Sequence, residues 1–208
     1  MNNINNINDF KQKFDQRYQQ KADLFGTEPV ELVVEAVKLL KAEYKDQENL
    51  GNNKPLKALD LGVGNGRNAL YLLKQGFEVT GVDLSSEALK VLKKRANEQG
   101  FADKLQVFNG SVTEFPFVAN YDLIIGIGLL HFLTEDQADI VVDNAKTHTN
   151  VNGFNVWIVR MQQNMRNSLP FVFYKDKLSS YYSGFLDWDI VKYEEDGRRA
   201  SIIAKKVS

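Results

Sequence analysis

Cysteine is absent from the 208 residues, and histidine occurs only twice. The first absence removes disulfides, thiolate metal sites and cysteine nucleophiles together, and it is consistent with a reducing compartment. Two histidines without cysteine or clustered carboxylates argue against a zinc or iron enzyme, while magnesium assistance from scattered carboxylates stays open. No segment approaches the ~20 apolar residues of a membrane span, and the opening MNNINNINDFKQKF lacks an apolar signal core. Charge of one sign is missing too: 26 basic and 27 acidic side chains leave a net −1, so no global field draws in nucleic acid or an anionic membrane. The expectation is a cytoplasmic enzyme or binding protein, monomeric or weakly dimeric.

The apolar fraction of 43% and charged fraction of 25% are ordinary for a soluble globular chain. The length suits one domain, divided into a helical cap over residues 1–45 and a core over 54–206. Residues 1–8 are Asn-rich, and 10–22 are polar enough for a surface helix only. TEPVELVVEAVKLLKAEY predicts a helix with Thr27 as cap and Pro29 in its first turn, its Val33, Ala36, Val37 and Leu40 on one face. Residues 45–54 read as a linker.

Beyond the linker the period alternates between strand and helix. LKALDL, FEVTGVDL, KLQVFN, YDLIIGIG and FNVWIVR read as strands. RNALYLLKQ reads as a helix closed by Gly76, and SSEALKVLKKRANEQG as one capped by Ser85 or Ser86 and stopped by Gly100. TEDQADIVVDNAK opens with Thr134 and Gln137 in capping-box spacing, KDKLSSYY is a short helix, and Asp-Gly at 196–197 marks a terminal hairpin. Five strand–helix alternations and a hairpin predict an α/β, Rossmann-like, doubly wound and mostly parallel seven-stranded sheet. Ligands of such sheets bind beyond the carboxyl ends of the strands.

The stretch LDLGVGNGRN (59–68) follows the first strand, where that rule places a ligand. Gly62, Gly64 and Gly66 are spaced G-x-G-x-G, and position 67 is Arg, so neither the G-x-G-x-x-G dinucleotide fingerprint nor a G-x-x-x-x-G-K-[ST] phosphate loop is present. Asp60 at the end of the strand opposes a pyrophosphate and favours an ammonium or another cation. Asp83, ending the second strand 23 residues later, is placed to accept hydrogen bonds from both ribose hydroxyls of an adenosine, although it also fits a helix cap. S-adenosylmethionine meets these demands, with a sulfonium, an ammonium and an adenosine but no phosphate.

ALDLGVGNGRNALYLLKQGFEVTGVDLSSEAL resembles the cofactor half of class I S-adenosylmethionine-dependent methyltransferases, most of all the tellurite-resistance and thiopurine methyltransferase group. FDQRYQQKADLFGTEP is similar to that group's N-terminal segment, which covers the cofactor; NGSVTEFPF and YDLIIGIGLLHFL are similar to its third and fourth motifs. The resemblance implies S-adenosyl-L-methionine as cofactor, with Asp60, Gly62, Gly64, Gly66, Asn68, Asp83, Leu84, Ser111, Val112 and Gly128 around it. Phe14 stands where the group often has Trp, and Val63 where it often has a small residue or Cys. Ser111 stands where many relatives carry an acidic residue to the adenine.

His131, after the fourth strand, faces the methyl side under this topology, either as a base or as a buried structural histidine. Arg160 ends the fifth strand, where it attracts an anionic substrate together with Arg166 and Arg67, or simply serves as surface charge. Tyr18, Phe25 and Phe171, with Phe173 and Tyr174, read as an apolar lid or as core aromatics. The expected partner is a small-molecule methyl acceptor, and the resemblance points to a thiol or a tellurium or selenium oxyanion. A nucleic-acid methyltransferase finds no catalytic cysteine, no Asn/Asp-Pro-Pro-aromatic string and no basic track. A nicotinamide oxidoreductase finds the wrong glycine spacing. A non-catalytic adenosine-binding module remains an alternative.

Overall fold

The computed structural model describes residues 7–48, 54–161 and 169–208; the Asn-rich residues 1–6, residues 49–53 of the linker and Arg166 lie outside the described residues. Two helices, α1 (Ile7–Gln20) and α2 (Glu31–Glu48), precede β1 (Lys57–Leu61). Then follow α3 (Arg67–Lys74), β2 (Glu78–Asp83), α4 (Ser86–Glu98), β3 (Leu105–Asn109), β4 (Tyr121–Ile127), α5 (Glu135–Thr147), β5 (Thr149–Arg160), α6 (Lys177–Ser180), β6 (Trp188–Glu195) and β7 (Arg199–Lys206).

The seven strands form one sheet in the order β3-β2-β1-β4-β5-β7-β6. The first five are parallel to one another, and β7 runs antiparallel to both β5 and β6. Strand order reverses at β1, so a crevice opens at the carboxyl ends of β1 and β4. Apolar residues cover both faces. Val33, Val37, Leu40, Leu72 and Leu92 of α2, α3 and α4 pack on one side, and Val141, Val142, Leu178 and Tyr182 pack on the other.

Local chemistry explains most boundaries. Ser85 caps α4 by accepting from Ala88 N–H, and Thr134 and Gln137 form a reciprocal capping box on α5. Asp196 closes the last hairpin by accepting from Arg198 and Arg199 N–H, both at 2.8 Å. Three expectations need correction. Thr27 does not cap α2, which begins at Glu31; Val30 C=O accepts the first bonds, from Val33 and Val34. Residues 45–48 extend α2 rather than starting a linker, since Lys-Asp-Gln-Glu holds no Gly or Pro to stop a helix. No helix joins β3 to β4: Phe108, Phe115 and Phe117 stack edge to face, with centroids 5.5 and 5.1 Å apart, and cover that stretch of the sheet instead.

A buried chain of hydrogen bonds fastens the C-terminal third. Trp157 Nε1–H donates to Tyr182 OH (2.6 Å), which donates to Asn155 Oδ1 (2.8 Å), and Asn155 Nδ2 donates to Thr149 Oγ1 (2.6 Å). The Tyr182 hydroxyl is the joint in this chain, so Tyr182→Phe leaves an indole donor and an amide acceptor buried without partners. The expected loss is ~2–3 kcal/mol in urea unfolding; an unchanged midpoint would mean that the network is relieved by water.

Candidate active site

The loop after β1 turns back on β2 through hydrogen bonds that only a left-handed backbone permits. Gly62, Gly64 and Gly66 have φ of 72°, 56° and 83°, the region that L side chains avoid. Gly62 and Val63 N–H both donate to Val82 C=O, at 2.8 and 3.0 Å, and Gly64 N–H donates to Asp83 Oδ2 at 2.8 Å. A Cβ on Gly66 would stand 2.3 Å from Leu92 Cδ1. The G-x-G-x-G spacing is thus a steric requirement of closing β1 on β2.

Two carboxylates converge there. Asp83 accepts from Gly64 N–H and from Ser85 N–H (2.8 Å), so it is anchored between two strand ends and is not itself the cap of α4. Burial holds its pKa above the ordinary value, and the two backbone donors work against that rise. Asp60 is 2% exposed, and its Oδ2 is buried with no hydrogen-bond partner. Burial, followed by the Asp83 charge, pushes its pKa well up, with Arg67 opposing. A buried, unpaired carboxylate is costly, and such groups concentrate at functional sites.

Helix α1 lies across this edge as a strap with three attachments. Beyond β2, Asp15 Oδ1 accepts from Ser85 Oγ (2.6 Å) and Glu87 N–H (3.2 Å), with Lys11 2.6 Å from Oδ2. Burial tends to raise the Asp15 pKa, but these three donors hold it below the ordinary value. Beyond β1, the Tyr18 hydroxyl sits on Gly64, where a Cβ would come within 2.5 Å of it. Beyond β4, Phe10 and Phe14 pack edge-on against Phe132, each at 5.6 Å.

The polar side chains of the glycine loop hold the segment between α1 and α2. Asn65 Nδ2 donates to Gly26 and Ala22 C=O (2.9 and 3.3 Å), Arg67 donates to Phe25 C=O (2.8 Å), and Asn68 Oδ1 accepts from Val30 N–H (2.9 Å). Asn68 and Arg67, expected at the cofactor and the substrate, each give one polar atom, Asn68 Oδ1 and Arg67 Nη1, to the segment between α1 and α2. Asn65 and Asp15 were not anticipated. Asn65 is legible in hindsight as a polar residue between glycines, whereas Asp15 carries no sequence signal, because its partner is 70 residues away.

Of the other expected residues, Leu84 is partly buried, and its carbonyl accepts from Asn109 Nδ2 (3.1 Å). Ser111 Oγ lies 2.7 Å from Thr113 Oγ1 and accepts from Thr113 N–H, so its hydroxyl stabilises its own turn. Val112 is buried in the core. Phe25, placed over the cofactor by the sequence reading, is 47% exposed and stacks edge-on with Tyr18 instead. Phe171 is buried against Phe173, with centroids 4.4 Å apart.

The far side of the crevice carries the residues expected to handle the acceptor. Gly128, with φ 74°, brings the chain round to His131, which is 2% exposed and tilted on Phe132 at 4.5 Å. Arg160 N–H donates to His131 Nδ1 at 3.4 Å, which assigns the remaining ring proton to Nε2. Burial, reinforced by the Arg160 charge, pushes the His131 pKa down to about 3. A neutral imidazole of such low basicity is a poor base near neutral pH, so of the two readings of His131 its burial favours the structural histidine. Arg160 itself is exposed and is the register partner of Arg199, whose Nε lies 3.8 Å from Asp196 Oδ2.

A G-x-G-x-G loop on β1, carboxylates ending β1 and β2, and an antiparallel β7 inserted beside β5 make up the fold and loop arrangement of class I S-adenosylmethionine-dependent methyltransferases. The model of the tellurite resistance protein TehB family matches residues 12–200, and the chain belongs to that family. It is 30% identical over 145 residues to the probable S-adenosyl-L-methionine-dependent methyltransferase TehB of Haemophilus influenzae, covering 68% of this chain and 49% of that protein. The chain therefore spans about half the length of the curated relatives it matches. The crystal structure of TehB from Haemophilus influenzae superposes with a TM-score of 0.65 at 25% identity, over 79% of this chain and 62% of that one. A Burkholderia thailandensis 1,6-didemethyltoxoflavin-N1-methyltransferase, solved with S-adenosylhomocysteine, shares the fold at a TM-score of 0.68 and 20% identity, over 100% of this chain and 93% of that one.

Two outcomes follow from this geometry. Asp60→Asn removes the cost of burying a carboxyl group that the unfolded chain would leave ionised, so it is expected to raise Tm at mildly alkaline pH by about 2–4 °C, the equivalent of ~1 kcal/mol. The folded-state pKa lies above the unfolded one, so this cost grows as pH rises above the unfolded carboxylate pKa of about 3.9, and the gain should shrink to nothing only as pH falls into that range, as calorimetry at the two pH values would show. Asp15→Ala removes the bonds to Ser85 and Glu87, and faster amide exchange in α1, with α4 unchanged beyond its first turn, is the expected signature.

Proposed function

We propose that the chain transfers a methyl group from S-adenosylmethionine to a small soft nucleophile, a thiol or a tellurium or selenium oxyanion. The observation that carries the cofactor half is the unpartnered Asp60 Oδ2 beside a loop of three left-handed glycines. A carboxylate there suits the cofactor's ammonium and repels the phosphates of a nicotinamide dinucleotide. Asp83 then takes the ribose hydroxyls on its spare lone pairs, the glycines admit the methionine chain, and Tyr18 and α1 cover it. When bound, the cofactor supplies an activated methyl group on a sulfonium, so the protein's task is to position an in-line attack and exclude water.

The acceptor half rests on His131. A hydroxyl acceptor, or an amine that arrives protonated, requires a base, and the side chain best placed to be one is held neutral and weakly basic by burial. A thiolate or a chalcogen lone pair attacks a sulfonium without first giving up a strongly held proton. Arg160 and Arg199, paired in register at the strand ends, supply positive charge for an anionic acceptor, and Phe10, Phe14 and Phe132 supply a polarisable wall.

Asp83→Ala is expected to weaken S-adenosylmethionine binding by ~10- to 100-fold, or about 1.5–3 kcal/mol, in calorimetry. An acceptor screen that reads S-adenosylhomocysteine, with tellurite, selenite, aryl thiols and small amines side by side, tests the rest. Turnover is expected with the soft acceptors, and His131→Ala should cost less than about tenfold. Turnover confined to amines or hydroxyls would refute the soft-nucleophile reading and leave the cofactor assignment intact.

A further inference from the structure

Among the described residues, Asp60 Oδ2 is the single buried side-chain oxygen or nitrogen without a hydrogen-bond partner. It sits on the central strand, where Asp60 is flanked in register by Gly81 of β2 and Ile125 of β4, neither of which brings a polar side chain to it. The groups that face this corner are unbalanced. From β2 comes the Asp83 carboxylate, from α3 the Arg67 guanidinium, and from α1 the Asp15 carboxylate, Arg17 and the Tyr18 phenol. In the turn after β4, residues 128–133, His131 is the one titratable side chain and stays neutral. Of the cations, Arg67 is fastened to Phe25 C=O, and Arg17 stacks on Phe14 and Phe25. Lys11 of α1 is spent on Asp15, 2.6 Å from its Oδ2, so Asp60 and Asp83 have no cation dedicated to them at the centre of the site.

We propose that Asp60 holds a proton until the cofactor arrives, and that the cofactor's ammonium takes that proton's place, so that capture of S-adenosylmethionine releases a proton and weakens as pH falls. This rests on the function proposed above. The balance is simple: the carboxyl O–H bond breaks, the proton passes to solvent, and the carboxylate pairs with an ammonium that keeps its own three protons. An α-amino group with a pKa of about 7.7–8.0 arrives charged at neutral and acid pH, so proton and ammonium compete for one oxygen. The shift of Asp60 away from ordinary carboxylate behaviour, caused by burial and the Asp83 charge, puts that competition at higher pH than an exposed aspartate would allow. The site thus answers a cost: a buried charge is avoided when no ligand is present and is formed only when its counter-ion is delivered.

Calorimetric titration of the full chain with S-adenosylhomocysteine, in two buffers of different ionisation heat, counts the protons. Release approaching one proton per ligand is expected on the acid side, with affinity falling toward about tenfold per pH unit there. In Asp60→Asn the buffer dependence should disappear and affinity should drop. With 5′-methylthioadenosine, which has the nucleoside but no amino group, the parent chain should release none. Binding of S-adenosylhomocysteine without proton release, or release that persists in Asp60→Asn, would overturn the inference alone. No binding of S-adenosylhomocysteine under any condition would overturn both the inference and the proposed function.

Discussion

The left-handed turn between β1 and β2 is the constraint on which the rest of the site depends. Two amides of the loop share Val82 C=O, and a third is held by Asp83. This closure sinks Asp60 below the loop, where water does not reach it. It also aims Asn65, Arg67 and Asn68 outward at the segment that joins α1 to α2. One backbone conformation therefore builds a ligand cradle on its inner side and a fastening for the N-terminal strap on its outer side.

The strap links parts of the crevice that are distant in sequence. Through Asp15 it touches the start of α4, through Tyr18 the glycine loop, and through Phe10 and Phe14 the turn that carries His131 and Phe132. Anything that loosens α1 thus loosens the expected ribose, methionine and acceptor regions together. The attachments are mixed in kind, a charged latch at Asp15, the buried Tyr18 ring on the glycine loop and edge-on aromatic contacts at Phe10 and Phe14.

Electrostatics divides the site in two. The half under β1 and β2 is acidic and buried, and holds carboxylates whose charge is poorly tolerated until a cation arrives. The half beyond β4 and β5 is neutral at its centre and basic at its rim, with His131 uncharged and Arg160 and Arg199 exposed. The cationic cofactor and the anionic or lone-pair acceptor proposed above are the pair that suits this division.

The order of strands and helices, the Ser85 cap of α4, the capping box of α5, the terminal hairpin and the glycine loop were all legible in the sequence, because each rests on contacts between residues a few positions apart. Asp60 and Asp83 were legible as well, through their places at strand ends. The absence of a helix between β3 and β4, the work of Asn65, Arg67 and Asn68 as strap anchors, the latch from Asp15 to Ser85 and the exposure of Phe25 were not. Those depend on which surfaces meet after folding, and the partners lie roughly 40 to 70 residues apart. The character of His131 divides along the same line: its position was written in the chain, but its loss of basicity comes from burial and from an arginine 29 residues away. Sequence determined which groups stand at the carboxyl edge of the sheet; tertiary structure decided which of them are desolvated, and desolvation sets their chemistry.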